Sequence, residues 1–239
     1  MSITKDGLIG FVIGDAMGVP IEFVSRSKLQ KEPVTEMQGY GSYFDIPEGV
    51  WSDDTAMTLA TLDSLTECKC INYKDIADKF LDWINHAKYT ATNVVFDIGI
   101  TTKYALARYQ LEKLKPTLCG GTKISENGNG SLMRMLPIAL YSYYKKLPDE
   151  EIYNIVKNTS SITHAHEISI LGCYIYVKYI LNILTGSTKE ESYQLIKKIN
   201  YEKYFTIDTI NEYKRILKNN IKDLTQDEIN SSGYVRTTL

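Results

Sequence analysis

The stretch Gly49-Val50-Trp51-Ser52-Asp53-Asp54-Thr55-Ala56-Met57 decides how this chain is interpreted. A glycine that allows a tight approach is followed by a hydroxyl group and two adjacent carboxylates, and an amphipathic helix then begins. Ser52 is a good helix N-cap, and the helix dipole favours the negative charges of Asp53 and Asp54 in the first turn. The same three oxygen groups are ligands that a hard cation such as Mg²⁺ or Mn²⁺ prefers. An ordinary helix start and a metal site both remain open on these residues alone.

The composition is that of an ordinary soluble globular protein, with 44% hydrophobic and 23% charged residues. The 27 basic and 29 acidic residues nearly cancel, so we expect neither nucleic acid nor a membrane surface as a partner. We find no linker or internal repeat and predict a single domain over residues 1–239. Four cysteines without framework spacing and no N-terminal secretory signal favour reduced thiols in the cytoplasm. The sequence does not indicate an oligomeric state.

Helical periodicity dominates the chain and predicts an all-α fold. Residues 3–18 form the first predicted helix, and its glycines share one side, where each costs about 1 kcal/mol against alanine. That repeated cost predicts that another backbone or a ligand comes very close to this face. Residues 25–50 are predicted to be a loop, and the apolar run 168–184 is predicted to be a buried helix rather than a membrane span. Further helices are predicted after Ser52 and at about 74–88, 94–114, 149–160, 164–184, 188–198 and 206–219.

A second informative stretch is Gly128-Asn129-Gly130-Ser131, which leads directly into a predicted helix. Glycines allow a nest of backbone amides, and a helix start offers unpaired N–H groups, so this arrangement suits an anion. The alternative is an ordinary turn with Ser131 as the N-cap. It is not a Walker loop, because the Gly-Lys-Ser/Thr ending is absent.

Histidine and glutamate residues elsewhere are ambiguous on their own. His164 and His166 are two residues apart and do not share a helix face, so they do not form the His-x-x-x-His zinc pair. A histidine at a buried helix start is more often a hydrogen-bonded structural residue than a ligand contact. Glu22 lies just beyond Pro20, and it matters only if the fold carries it to the Asp53–Asp54 pair.

Taken together, four ordered stretches resemble the ADP-ribosylglycohydrolase family, which includes the dinitrogenase reductase-activating glycohydrolase and the ADP-ribosyl-acceptor hydrolases. They are Gly14-Asp15-Ala16-Met17-Gly18 with Glu22, Trp51-Ser52-Asp53-Asp54-Thr55, Gly128-Asn129-Gly130-Ser131-Leu132-Met133-Arg134 and Ile162-Thr163-His164-Ala165-His166. The resemblance covers roughly residues 3–185 and a Ser-Gly-Tyr-Val segment near the end. It implies a compact orthogonal bundle of α-helices with a dinuclear Mg²⁺ or Mn²⁺ site. It also implies cleavage of the glycosidic bond between ADP-ribose and a protein side chain or small molecule.

The resemblance also assigns roles by position. Ser52, Asp53 and Asp54 match the first group of metal ligands, and Glu22 matches the acidic residue near the scissile bond, so Glu22 and Asp53 are the predicted catalytic residues. The ligand-binding residues implied are Gly128, Asn129, Gly130 and Ser131 for the diphosphate and His164 for the ADP-ribose cleft. In chemical terms, a metal pair can position ribose hydroxyls or a water, and a carboxylate can activate that water against an oxocarbenium-like centre.

One departure from the family pattern leaves the activity open. The pattern closes with a C-terminal Gly-x-Asp-x-Asp-Thr segment that donates further metal ligands, and this sequence stops before it, after Gly233-Tyr234-Val235. Asp208, Asp223 and Asp227 lack that motif. The chain is therefore expected to be a metal-dependent hydrolase that draws its remaining ligands from elsewhere, such as another chain. The alternative is a catalytically impaired relative or fragment that binds ADP-ribose, a nucleotide or a protein partner through the same cleft.

Overall fold

The computed structural model describes residues 3–39, 46–230 and 232–239, and the regular elements in this part of the chain are helices. Isolated β-bridges pair Gly121 with His164 and Gly128 with Tyr234. The predicted all-α class is confirmed. The α-helices of the described residues are α1 (Ile3–Gly18), α2 (Arg26–Lys31), α3 (Asp53–Cys68), α4 (Tyr73–His86), α5 (Ile100–Ala107), α6 (Leu136–Lys145), α7 (Asp149–Ser161), α8 (Glu167–Leu184), α9 (Lys189–Ile196), α10 (Ile207–Glu212), α11 (Lys214–Leu217) and α12 (Val235–Thr238).

Two of the predicted boundaries at the N-terminal end hold and one does not. Helix α1 has the predicted bounds, and Ser52 is the N-cap of α3, with its Oγ accepting a hydrogen bond from the Asp54 backbone N–H at 3.2 Å. The loop predicted at 25–50 is wrong in part, because Arg26–Lys31 is helical and is capped by Ser25. Residues 40–45 of that predicted loop lie outside the described residues.

The helix predicted at 94–114 is also wrong at its start. Regular structure begins only at Ile100, and α5 passes into a π-helical turn at Arg108–Glu112. Asn93 and Asp97 have φ values of 58° and 53°, in the left-handed region, which interrupts any right-handed helix at these positions. The apolar spacing in residues 94–98 therefore does not belong to a helix.

The glycine face of α1 does not show the predicted close approach. No described atom lies within 4 Å of the position that a Cβ would take at Gly7, Gly10, Gly14 or Gly18. Ala16 is the buried side chain of this helix, whereas Ile9 and Ile13 are nearly half exposed. The predicted close approach of another backbone is therefore wrong for the described part of the chain, and the alternative, a ligand at this face, stays a prediction.

Two apolar clusters form the core, and the glycine-rich stretch lies between them. The larger cluster surrounds α8, which packs against α6, α7 and α9, and the smaller one joins α3 to α4 around Phe80 and Trp83. By length and composition α8 could cross a membrane, but 56% of it is buried inside the fold, which confirms the predicted buried helix. The short turn Leu132–Arg134 contacts both α3 and α8, so it fixes the preceding loop at the junction of the two clusters.

Candidate functional site

The start of α3 is tied to the end of α1 by Asp15. Its two carboxylate oxygens accept hydrogen bonds from the Ser52 hydroxyl at 2.7 Å, the Ser52 N–H at 3.1 Å and the Thr55 N–H at 3.0 Å. A helix start leaves its first N–H groups without partners, and Asp15 supplies an anionic acceptor for them from another helix. Sequence reasoning quoted Asp15 but gave it no role, since nothing local shows that α1 delivers it to α3.

Five carboxylates accumulate around this helix start. Burial, followed by the charges of Asp15 and Asp97, raises the pKa of Asp54 to about 7. Burial, followed by the charge and hydrogen bond of Asp97 and then the charges of Asp54 and Asp15, raises the pKa of Glu22 to about 7. The pKa of Asp53 is raised well above its ordinary value, first by burial and then by the charge of Asp54 and its other acidic neighbours. The fold therefore brings Glu22 to the Asp53–Asp54 pair.

Asp97 is the member of this cluster that sequence reasoning missed completely. It lies between α4 and α5, in the left-handed conformation noted above, and its carboxyl group hydrogen-bonds Glu22. The one local signal is its place two residues before Gly99, the N-cap of α5. That signal is weak, because a polar residue and a glycine precede many helices.

The cluster fits a divalent cation in charge and donor chemistry. Carboxylate and hydroxyl oxygens are hard ligands, and mutual repulsion among these acids is what a cation would relieve. Within residues 3–39, 46–230 and 232–239, however, no three acidic, histidine or cysteine side chains are gathered as the ligand set of one ion. The described residues thus offer an acidic surface for a cation rather than a complete coordination sphere.

The glycine-rich stretch, residues 128–131, lies across from this cluster. It forms an irregular loop rather than a helix start, and we refer to it as the glycine loop. The Asn129 N–H donates to the Gly233 carbonyl oxygen at 2.9 Å, and the Asn129 carbonyl oxygen accepts from the Met133 N–H at 3.2 Å. The N–H groups of Gly128 and Gly130 find no acceptor among the described residues. Two unpaired amides beside an acidic cluster are suited to an anion such as a phosphate.

Ser131 does not act as the predicted N-cap. Its side chain makes no cap hydrogen bond and is completely buried, where its Oγ accepts from the Ser160 hydroxyl at 3.0 Å and lies 3.3 Å from Cys173 Sγ. The alternative of a Ser131 N-cap is therefore wrong, because the side chain turns into the core between α7 and α8.

His164 lies in the turn before α8, not inside the helix as predicted, and its imidazole packs against the glycine loop. A Cβ placed on Gly130 would lie 2.9 Å from its Cε1, and one placed on Gly128 would lie 3.5 Å from its Nε2. Burial, followed by the charge of Arg134, lowers the pKa of His164 to about 3, so the ring is neutral at physiological pH. A side chain at Gly130 would therefore displace the ring, whereas a Cβ at Gly128 would make an ordinary van der Waals contact with it.

Arg134 joins the loop to the histidine turn, and sequence reasoning gave it no role. Its fully buried guanidinium donates to the Gly130 carbonyl oxygen at 2.5 Å and to the Thr163 hydroxyl at 2.8 Å, and it stacks 4.9 Å from the Phe80 ring centroid. Because Thr163 Oγ1 accepts from Arg134, its own proton can be donated to His164 Nδ1, 2.8 Å away. This hydrogen-bond network assigns the imidazole proton to Nε2, on the side of the glycine loop.

A groove of about 580 Å³ opens beside the acidic cluster. Asp54 and Asn129 line one end, and the apolar side chains of Ile175, Tyr176 and Tyr179 line its course along α8. One acid of the cluster and one residue of the glycine loop thus border the same groove.

These features define an all-helical protein whose acidic helix start faces a glycine loop, with two amides that find no acceptor in the described part of the chain. The sequence model of the ADP-ribosylglycohydrolase family matches residues 3–239, and the chain belongs to that family. The ADP-ribosylarginine hydrolase Tri1 of Serratia proteamaculans is 31% identical over 98% of this chain and 59% of its own length. The ADP-ribosyl-[dinitrogen reductase] glycohydrolase of Rhodospirillum rubrum is 24% identical over 96% of this chain and 79% of its own length.

A solved structure supports the same fold. The chain matches an ADP-ribosylglycohydrolase-related protein complex with a TM-score of 0.73 and 23% identity, over 97% of this chain and 70% of that one. The chain thus spans about three fifths of the Serratia relative that it matches.

Proposed function

We propose that this chain forms the cleft of a hydrolase that releases ADP-ribose from a modified arginine side chain. The observation that carries the proposal is the placement of Glu22, Asp53 and Asp54 together, across from the free amides of Gly128 and Gly130. The family, and the activities for which the relatives are named, support it. Because the chain spans 59% of the Serratia relative, the activity is proposed for the protein of which these residues are the cleft.

The glycine loop binds the diphosphate of ADP-ribose in this proposal. The Gly128 and Gly130 amides donate to phosphoryl oxygens, and the neutral His164 contributes its Nε2–H on the same side. Arg134 holds the loop through the Gly130 carbonyl oxygen without offering its own charge to solvent. Binding therefore relies on oriented dipoles, which cost no reorganisation when the ligand arrives.

Glu22 serves as the proton acceptor for the attacking water. A carboxyl group whose pKa is about 7 can take up and release a proton near neutral pH, which suits a general base. The water attacks the anomeric carbon as the bond to the leaving nitrogen breaks and positive charge develops on the ribose. The surrounding carboxylates stabilise that developing charge.

Ser52, Asp53 and Asp54 would hold a divalent cation, Mg²⁺ or Mn²⁺, and such an ion supplies a Lewis acid and a template for ribose hydroxyls. Asp15 keeps this set in place, since it binds both the hydroxyl and the N–H of Ser52. The same acidic surroundings favour a cationic guanidinium near the scissile bond, which is why we propose an arginine linkage rather than a serine one. We also propose a cytoplasmic location, where the four unpaired cysteines stay reduced.

Turnover of a defined substrate tests the proposal. With Mn²⁺ present, the protein should release ADP-ribose from an arginine-ADP-ribosylated target, and Glu22→Gln or Asp53→Asn should lower the rate by about 100-fold or more. Asp227→Asn, an exposed acid far from the cluster in sequence, should leave the rate unchanged. Equal rates for Glu22→Gln and Asp227→Asn would refute the role of the cluster.

A second candidate function is ADP-ribose binding without hydrolysis. The incomplete cation ligand set among the described residues favours it. Calorimetric titration with ADP-ribose separates the two, because saturable binding without product release supports a binding protein, whereas binding with release supports the hydrolase.

A further inference from the structure

The last described segment of the chain, residues 232–239, is hydrogen-bonded to the glycine loop, and we refer to it as the C-terminal strap. The Gly233 carbonyl oxygen accepts from the Asn129 N–H at 2.9 Å, and the Val235 N–H donates to the Asn127 carbonyl oxygen at 2.9 Å. These two bonds are the antiparallel bridge between Gly128 and Tyr234. The Tyr234 hydroxyl adds a bond to the Ile124 carbonyl oxygen at 3.2 Å.

The strap is itself anchored in the core. Val235 is completely buried and α12 packs against α8, where a Cβ on Gly172 would meet the Tyr213 hydroxyl first and would lie 2.9 Å from Val235 Cγ2. The glycine at 172 thus leaves room for both Tyr213 and Val235 against the α8 backbone. The strap therefore has one side fixed in the core and the other paired to the loop.

The loop has a second anchor on its opposite side. The Asn127 side-chain oxygen accepts from the Ser169 N–H at 3.1 Å and from the Ser169 hydroxyl at 2.7 Å. The strap hydrogen-bonds the Asn127 carbonyl oxygen and the Asn129 N–H, so it is bonded to the main chain on both sides of Gly128. Glycine has the widest conformational freedom of any residue, so an unpaired loop of this composition would lose its fixed amide directions.

We propose that the C-terminal strap is a positioning element for the glycine loop, with Val235 as the positioning residue, and that it holds the Gly128 and Gly130 amides toward a bound diphosphate. The identity of the ligand as a diphosphate rests on the proposed function, whereas the ordering of the glycine loop by the strap does not. The strap touches no reacting atom, and it acts through the loop.

Val235→Pro removes the N–H donor with little other change. Val235 is the first residue of α12, where proline is tolerated, and Tyr234 has φ −78° and ψ 130°, which a residue before proline adopts readily. Val235→Ala is the matched control, because it removes buried methyl groups but keeps the N–H. Gly172→Ala is a second perturbation that leaves the Val235 N–H in place and crowds Val235 and the Tyr213 hydroxyl from the α8 side.

Hydrogen exchange of the full chain, measured by mass spectrometry on peptides covering residues 126–133, gives the protection of the backbone amides in the glycine loop. We expect at least tenfold faster exchange in Val235→Pro and in Gly172→Ala than in Val235→Ala, with the α3 peptide 53–68 unchanged. ADP-ribose affinity by calorimetry should fall about tenfold in Val235→Pro, with Mn²⁺ binding unchanged. A loop that exchanges no faster in Val235→Pro than in Val235→Ala overturns the proposal, and if Val235→Pro fails to fold, Gly172→Ala decides in the same way. Faster loop exchange in a protein whose wild type binds no ADP-ribose would support the strap and refute the proposed function.

Discussion

Asp15→Asn tests whether the acidic cluster is organised by a carboxylate from α1. Asp15 accepts three hydrogen bonds, two of them from N–H groups at the start of α3. Both N–H groups donate to one Asp15 oxygen and the Ser52 hydroxyl donates to the other. Asparagine keeps one acceptor oxygen for the N–H groups and places an NH₂ group against the Ser52 hydroxyl, which loses its acceptor, at about 1–3 kcal/mol. We expect a loss of about 2 kcal/mol of unfolding free energy at pH 5.

The loss should be smaller at pH 8. The charge of Asp15 contributes to the raised pKa values of Glu22 and Asp54, both about 7, so these groups are protonated at pH 5 and ionised at pH 8. Removing the Asp15 charge therefore relieves repulsion at pH 8 but not at pH 5, and the relief offsets part of the lost hydrogen bonding. We expect a net cost of about 1 kcal/mol at pH 8.

Urea unfolding followed by circular dichroism at both pH values measures these costs without added cations. Asp6→Asn is the matched control, since it makes the same change at an exposed position of the same helix, and it should stay within about 0.5 kcal/mol of wild type. A variant Asp15→Asn as stable as wild type at both pH values, or one whose loss relative to wild type is larger at pH 8 than at pH 5, would refute the reasoning.

Three further predictions follow from the site. Without cations, the melting temperature measured by calorimetry should fall as the pH rises from about 4.5 to about 7. The reason is that the raised pKa values of Glu22 and Asp54 let the folded protein bind more protons than the unfolded chain in this range. Added Mn²⁺ should raise the melting temperature more at pH 8 than at pH 5. Arg134→Met should lower the unfolding free energy by about 3 kcal/mol in urea titrations, since buried acceptors including the Gly130 carbonyl lose their donor, and a cost below about 1 kcal/mol would contradict this. Ser131→Ala should change ADP-ribose affinity by less than about threefold in calorimetry, because its side chain faces the core; a tenfold loss would show that the hydroxyl contacts ligand.

The helical class and the starts of α1 and α3 were predictable because local periodicity and capping chemistry determine them. Ser52 is a cap in sequence and in structure, and the apolar repeat of α3 matches the smaller core cluster. The interruption before α5 was not predictable, because Asn93 and Asp97 adopt left-handed conformations that the surrounding fold selects. Apolar residues in 94–98 fit a helix pattern equally well.

The candidate site was also predictable from the sequence only in part. The acidic pair and the glycine loop were recognisable as short motifs, and the family assignment came from their order along the chain. The contributions of Asp15 and Asp97 depend on which helices meet, and the raised pKa values depend on burial, so neither can be inferred from spacing. The side of the backbone on which Ser131 points is likewise a tertiary property.

The buried guanidinium of Arg134 also bears on how the chain folds. It joins the Gly130 carbonyl oxygen, four residues away, to the Thr159 carbonyl oxygen and the Thr163 hydroxyl, which lie 25 and 29 residues further along the chain. Contacts between distant segments form only after the entropic cost of closing the intervening chain has been met. We therefore expect the glycine loop to become ordered late in folding, after α6 and α7 have formed and in the same cooperative step that docks the turn before α8. A folding intermediate with native helices would then lack the cleft altogether, and recovery of ligand binding would lag behind recovery of helix content.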